Sequence, residues 1–140
     1  MNLEMSKARV NHTELKYMIA VPPSLPFEDY DLCSLLSNLI DNAMEEVLRC
    51  SKKGYVDAKI KKDGSYLRIV VTNPSDKTNL DFTTAKKKEG HGYGISIIKN
   101  IVSKYNGHVS FFLQDGTFTA DCILDMTYRK ETDHDQDCHA

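Results

Sequence analysis

Residues 90–111 read "GHGYGISIIKNIVSKYNGHVSF", and most of the fold can be argued outward from them. Three glycines at alternate positions, Gly90, Gly92 and Gly94, open the stretch. Glycine costs backbone entropy, so a cluster of it serves a special conformation or a close approach. Ile95, Ile98, Val102 and Tyr105 then recur at helical spacing, which predicts an amphipathic helix. Asn106-Gly107 ends it, and "HVSFFLQ" starts a strand. A glycine turn that feeds a helix is a natural anion site, because the first helical turn offers unbonded N–H groups and the positive end of the dipole. The spacing is neither the G-x-G-x-x-G of a dinucleotide turn nor the G-x-x-x-x-G-K-[ST] of a P-loop. A plain hinge entering a helix fits the same residues. Lys86, Lys87 and Lys88 stand just upstream. Such a run is either solvated or lets one lysine, Lys86 or Lys87, reach an anion.

Upstream, a longer helical pattern runs over residues 30–50, with Leu32, Leu35, Leu36, Leu39, Ile40, Ala43, Val47 and Leu48 as its stripe. Asp29 or Asp31 is the expected cap. Before it, "ELKYMIAV" alternates like a strand, and "PPSLPFEDYD" breaks regular structure. After it, "YVDAKIK" and "YLRIVVTN" flank Asp63-Gly64, a hairpin signal. Asp115-Gly116 marks a second hairpin, between "HVSFFLQ" and "TFTADCILDM". Residues 74–90 are polar and aperiodic, and read as a long loop. The order is strand, helix, hairpin, loop, helix, hairpin. That predicts an α+β fold, a two-layer α/β sandwich whose mixed, mostly antiparallel sheet is covered on one face by helices.

A chain of 140 residues that is 41% apolar suits one domain with a real core. Eighteen basic against 20 acidic residues leave a net charge of -2, which is no footprint for nucleic acid. Cys33, Cys50, Cys122 and Cys138 form no C-x-x-C pair and suggest no zinc site. Cys33 and Cys122 lie in apolar patterns and read as small buried hydrophobes, which fits a reducing, cytoplasmic compartment.

Asn38 and Asn42, in "NLIDNA", are four residues apart and share one helix face. They read either as two solvent-facing amides or as oxygen ligands for a hard cation. Mg²⁺ takes oxygen donors, keeps several waters and commonly bridges protein to nucleotide phosphates.

"NLIDNA", "LRIVVTNPSD" and "GHGYGISIIKNIVSKYNGHVSF" together resemble the ATP-binding domain of sensor histidine kinases, the GHKL or Bergerat fold shared with gyrase, Hsp90 and MutL. They look like its asparagine box, its first glycine box, and its second glycine box with the following strand. The resemblance spans roughly residues 13–128. "NLIDNAMEE", "VTNPSD" and "TTAKK" before "HGYGI" look closer still to the peptide-pheromone sensors of the accessory-gene-regulator type.

The resemblance implies Mg·ATP as ligand, with Asn42 on the metal and Asn38 lining the phosphates or supporting the metal. The hydrolysing cousins have a glutamate base where Asn38 stands; a kinase needs none. Glu45 and Glu46 are then expected on a solvated helix face. Gly90, Gly92 and Gly94 would admit the phosphates. His91 would either donate to a phosphate or face solvent, and Tyr93 would pack. Residues 75–89 would form a lid over ATP, with Phe82 as an apolar latch. The family's adenine-reading aspartate aligns with Asn73, and its first glycine with Ser75. An amide oxygen still accepts, without charge assistance, so weaker affinity and relaxed adenine selectivity are expected.

The family's phosphate-accepting histidine sits on an upstream helical hairpin. Residues 1–12 read as linker from such a segment, with His12 an ordinary surface residue, and 129–140 as a frayed tail. The expected whole is a homodimeric, membrane-anchored sensor kinase that phosphorylates a histidine on its dimerisation domain and passes the phosphate to a response regulator. Two other readings fit the fold: an anti-sigma-type serine/threonine kinase, and a degenerate nucleotide-binding regulatory module.

Overall fold

The alternating stretches pair into one six-stranded sheet, and the two helical stretches lie against one of its faces. The computed structural model describes residues 2–10, 13–51, 53–77 and 92–129, with 2–10 and 92–93 described by backbone alone. In chain order the elements are β1 (Asn2–Val10), β2 (Thr13–Val21), α1 (Asp29–Leu48), β3 (Tyr55–Asp63), β4 (Tyr66–Pro74), α2 (Gly92–Lys104), β5 (His108–Gln114) and β6 (Thr117–Asp125). The strand order is β1-β2-β3-β4-β6-β5. Only β2 and β3 run parallel, because α1 carries the chain back between them. The other neighbours are antiparallel. The expected two-layer α+β sandwich is the observed one.

Register decides which side chains the helices cover. Val56, Ala58 and Ile60 of β3, Leu67, Ile69 and Val71 of β4, and Phe118, Ala120, Cys122 and Leu124 of β6 are all buried. All of these but Phe118 meet Leu35, Leu39, Ala43 and Val47 of α1 and Ile95, Ile98, Ile101 and Val102 of α2 in one core. Tyr105 completes it, with Phe27 and Tyr128 packed edge-on at centroid distances of 5.0 and 4.8 Å.

Four local expectations need correction. Residues 2–10, read as linker, form β1 at the sheet edge beside β2. Their sequence hides the strand: Leu3 and Met5 share one parity, Ala8 and Val10 the other. The cap of α1 is Glu28, in extended conformation and without a side-chain bond, rather than Asp29 or Asp31. Cys33 is exposed; two residues before Leu35 it stands about 200° round the helix, on the far side from the core. The turn of the first hairpin is Gly64-Ser65, one residue later than the Asp-Gly signal, since Asp63 already pairs with Tyr66. Gly64 alone has positive φ there, the pattern of a type II′ turn, whereas Asp115 and Gly116 both do, the pattern of type I′.

The end of α2 explains how the second hairpin begins. Asn106 adopts φ 54°, its N–H bonds to Ser103, and the Gly107 N–H reaches back to Val102 at 2.8 Å. This is a Schellman stop. A Cβ on Gly107 would sit 1.9 Å from the Ile123 carbonyl oxygen, so only glycine lets the chain pass so close to β6.

Candidate functional site

Helices α1 and α2 run antiparallel, and their contacts set the depth of each side chain. At one end Lys104 and Tyr105, which close α2, bond Asp31 in the first turn of α1. At the other end Gly94, in the first turn of α2, faces Asn38: a Cβ on Gly94 would lie 3.2 Å from Asn38 Oδ1. Asn38 Nδ2 donates to the Ser34 carbonyl at 2.7 Å. A carbonyl only accepts, so the amide must turn its nitrogen there and its oxygen toward α2. Asn42 follows one turn later on the same face of α1. It is half-buried and engaged. The first N–H groups of α2 have no intrahelical acceptors, and Gly92 and Gly94 put no side chain in front of them.

Beyond Asn42 the same four-residue ladder reaches Glu46, and here the expectation of a solvated face fails. Glu46 is buried at 7% exposure. Its carboxylate accepts from the Ser75 hydroxyl at 2.8 Å and pairs with Lys77 Nζ at 3.0 Å. Ser75 in turn accepts from the Lys77 N–H at 3.1 Å, and its own N–H donates to the Gly116 carbonyl at 2.9 Å. Asp76 accepts from the Ser51 N–H at 2.7 Å. Residues 75–77, placed at the start of the expected lid, are thus tied to the end of α1. The three-by-four spacing of Asn38, Asn42 and Glu46 was the signal that could have found this carboxylate.

Asn73 ends β4 on the helix-covered side, in step with Leu67, Ile69 and Val71. Its side chain is fully buried. Nδ2 donates to the Pro74 carbonyl at 2.9 Å, while Oδ1 is buried with no hydrogen-bond partner. Such a deficit costs about 1–3 kcal/mol, and it is the kind of vacancy a ligand donor fills. The unbonded Asn73 amide oxygen at the end of β4, the Asn38 amide oxygen facing Gly94 and the first N–H groups of α2, which have no intrahelical acceptors, fit a base, a cation and phosphates respectively.

The structure therefore brings Asn38, Asn42, Gly92, Gly94 and the β4 end of Asn73 to the same half of the helix layer. Tyr93 lies in the first turn of α2, with only its backbone described. Lys86, Lys87, Gly90 and His91, Phe82, the lid from residue 78, and the tail from residue 130 lie outside the described residues. Among the described residues no group of three or more His, Cys, Asp or Glu could hold a metal ion. No helix among the described residues is long and apolar enough to cross a membrane. A depression of about 510 Å³ opens elsewhere, lined by Glu14, Lys16, Lys53, Tyr55, Pro74 and Thr117. Its strand residues alternate with the core-facing ones, so it lies on the uncovered side of the sheet.

This architecture is that of the catalytic domains of histidine kinases. The catalytic domain of histidine kinase ThkA superposes with a TM-score of 0.60 at 15% identity, over 82% of this chain and 82% of that one. Acinetobacter baumannii histidine kinase AdeS gives 0.60 at 14% identity, over 81% of this chain and 55% of that one. The blue-light activated histidine kinase of Erythrobacter litoralis gives 0.60 at 14%, over 84% and 37%. The chain spans only about half of the AdeS structure. No curated protein matches it. A family model described as a GHKL domain matches residues 27–125, and the chain belongs to that family. The class implies a nucleotide as ligand.

Proposed function

We propose that this chain is the ATP-binding catalytic domain of a sensor histidine kinase, binding Mg·ATP between α1 and the start of α2. It would transfer the γ-phosphate to a histidine on a separate helical domain. The observation that carries the reading is the Asn38 amide oxygen facing Gly94. An oxygen aimed at the cleft suits a cation or its water rather than a bare phosphate, so Asn38 takes the metal-supporting role beside Asn42. The N–H groups of Gly92 and Gly94 hold the phosphates, joined by Gly90 and His91 and by Lys86 or Lys87. A magnesium ion held by Asn42 with support from Asn38 would supply positive charge that offsets the phosphate charge during transfer.

Neither asparagine can take a proton from water, and the Glu46 carboxylate is already shared by Ser75 and Lys77. The described residues of the ladder thus position and bind without a base for hydrolysis, which suits transfer to a protein nucleophile. The unbonded Oδ1 of Asn73 speaks for a working base site over a degenerate module. On the motif resemblance we place the chain in the peptide-pheromone branch. The full protein is then a membrane-anchored homodimer whose cytoplasmic part serves a response regulator.

The test is phosphotransfer with labelled ATP. The chain alone should bind ATP in Mg²⁺ and stay unlabelled, then label a helical hairpin carrying an acceptor histidine. Asn42→Ala should abolish transfer. Label on a serine of a partner, or ATP binding that ignores Mg²⁺ and Asn42→Ala alike, would overturn the reading.

A further inference from the structure

We propose that Glu46 is a positioning residue for the nucleotide: it fixes how far the end of β4 stands from α1, and so the width of the cleft between them. The proposal rests on the nucleotide reading above and concerns what holds that site in shape. The sheet grips the end of β4 on one edge only. Its ladder with β6 continues to Pro74, but its ladder with β3 stops at Thr72, opposite Asp57. Past that point β3 follows β2 instead, through Val56 and Tyr55. Asn73 and Pro74 therefore have no ladder partner on the β3 side.

The second attachment comes from the helix layer. Glu46 follows Asn38 and Asn42 at four-residue spacing, so one face of α1 carries all three. Its buried carboxylate accepts from the Ser75 hydroxyl at 2.8 Å and pairs with Lys77 Nζ at 3.0 Å. The Ser75 N–H meanwhile donates to the Gly116 carbonyl at 2.9 Å. The residue after Pro74 is thus bonded to the β5–β6 turn on one side and to α1 on the other. Asp76 adds an exposed bond from the Ser51 N–H at 2.7 Å. A buried ion pair is a weak stabiliser, since well-packed apolar residues often do as well in its place. What a carboxylate with two partners supplies here is a fixed distance between two walls. The hydroxyl that makes the tie belongs to Ser75, which aligns with a glycine of the family pattern, and glycine could make no such bond. One helix face therefore carries the asparagines of the expected metal side and, a turn further on, the brace of the opposite wall.

The experiment is calorimetric titration with ATP in Mg²⁺, at a temperature where every chain compared is folded. Glu46→Ala and Ser75→Ala should each bind at least about tenfold more weakly than the unmodified chain, the usual loss when a supporting residue is removed. The double variant should bind no more weakly than the worse single one, because both remove the same bond. Glu46→Gln, whose amide oxygen still accepts from the Ser75 hydroxyl, should bind close to the unmodified chain. Tyr105→Phe loses a bond at the far end of the helix pair and should leave ATP affinity unchanged. If Glu46→Ala does not fold, Ser75→Ala carries the test. Unchanged affinity in Glu46→Ala or Ser75→Ala overturns the proposal. A matching loss in Tyr105→Phe does so too, since it would trace the effect to stability. If the unmodified chain itself does not bind ATP, the nucleotide reading falls and the positioning role with it.

Discussion

At Glu46 a helix that could have shown a carboxylate to water buries it instead, between a hydroxyl and an ammonium. A buried carboxylate is tolerable only with such partners, and removing one side strands the other. Glu46→Ala leaves the Ser75 hydroxyl without its acceptor and Lys77 without its counter-charge. A loss of about 1–3 kcal/mol is expected, read from the urea midpoint, whereas Glu45→Ala should cost much less. An unchanged midpoint for Glu46→Ala would show that the cluster holds nothing together. The cysteines separate in the same way. Burial pushes the Cys122 thiol up to about 12, with the Asp121 charge adding to it, while Cys33 is exposed. Since the thiolate is the nucleophile, iodoacetamide at pH 8 should modify Cys33 in the native chain and spare Cys122. Mass spectrometry of the peptides reads the difference.

Among the elements, the helix pair and its two ends hold most of the specific information. Gly107 sits where α2 stops and β6 passes. Gly107→Ala drives a methyl into the Ile123 carbonyl and should cost about 3 kcal/mol or more, seen as a lowered melting temperature. The far end of the pair is closed by Tyr105. Its hydroxyl donates to Asp31 and accepts from the Glu28 N–H. Burial, and then the bond to Asp31, raise its pKa above the ordinary 10.0. The Lys104 ammonium, bonded to Asp31, is pushed up from 10.5 to about 12. In both cases the folded chain holds its proton longer than the unfolded one. The stabilisation is therefore complete below about pH 10 and is lost as pH rises toward 12. Tyr105→Phe should be less stable at pH 7 and lose less further stability between pH 10 and 12. Denaturant midpoints across that range check it. Both helices and the five strands β2 to β6 were legible, because each has a regular apolar pattern. The cap of α1 was not, since Glu28 caps it without a side-chain bond, and Asp31 spends its carboxylate on a residue more than 70 positions away.

For the whole molecule, the layered order followed from two β-type hairpins and two amphipathic helices. β1 was invisible because its apolar residues change parity midway, and only pairing with β2 reveals it. Of the candidate site, the shared helix face of Asn38 and Asn42 and the helix that follows the glycines were readable from spacing. The Ser75–Glu46 tie was not, for it depends on where the end of β4 lands against α1, a long-range fact. On the proposed function, Asn42, the start of α2 and the end of β4 border one ligand cleft. Backbone amide NMR during titration with Mg·ATP tests this most directly. Shifts should concentrate at Asn38, Asn42, Asn73 and Gly92–Ile95, and disappear when Mg²⁺ is chelated. Shifts confined to the opposite depression around Lys16, Lys53 and Tyr55, or none at saturating nucleotide, would contradict it.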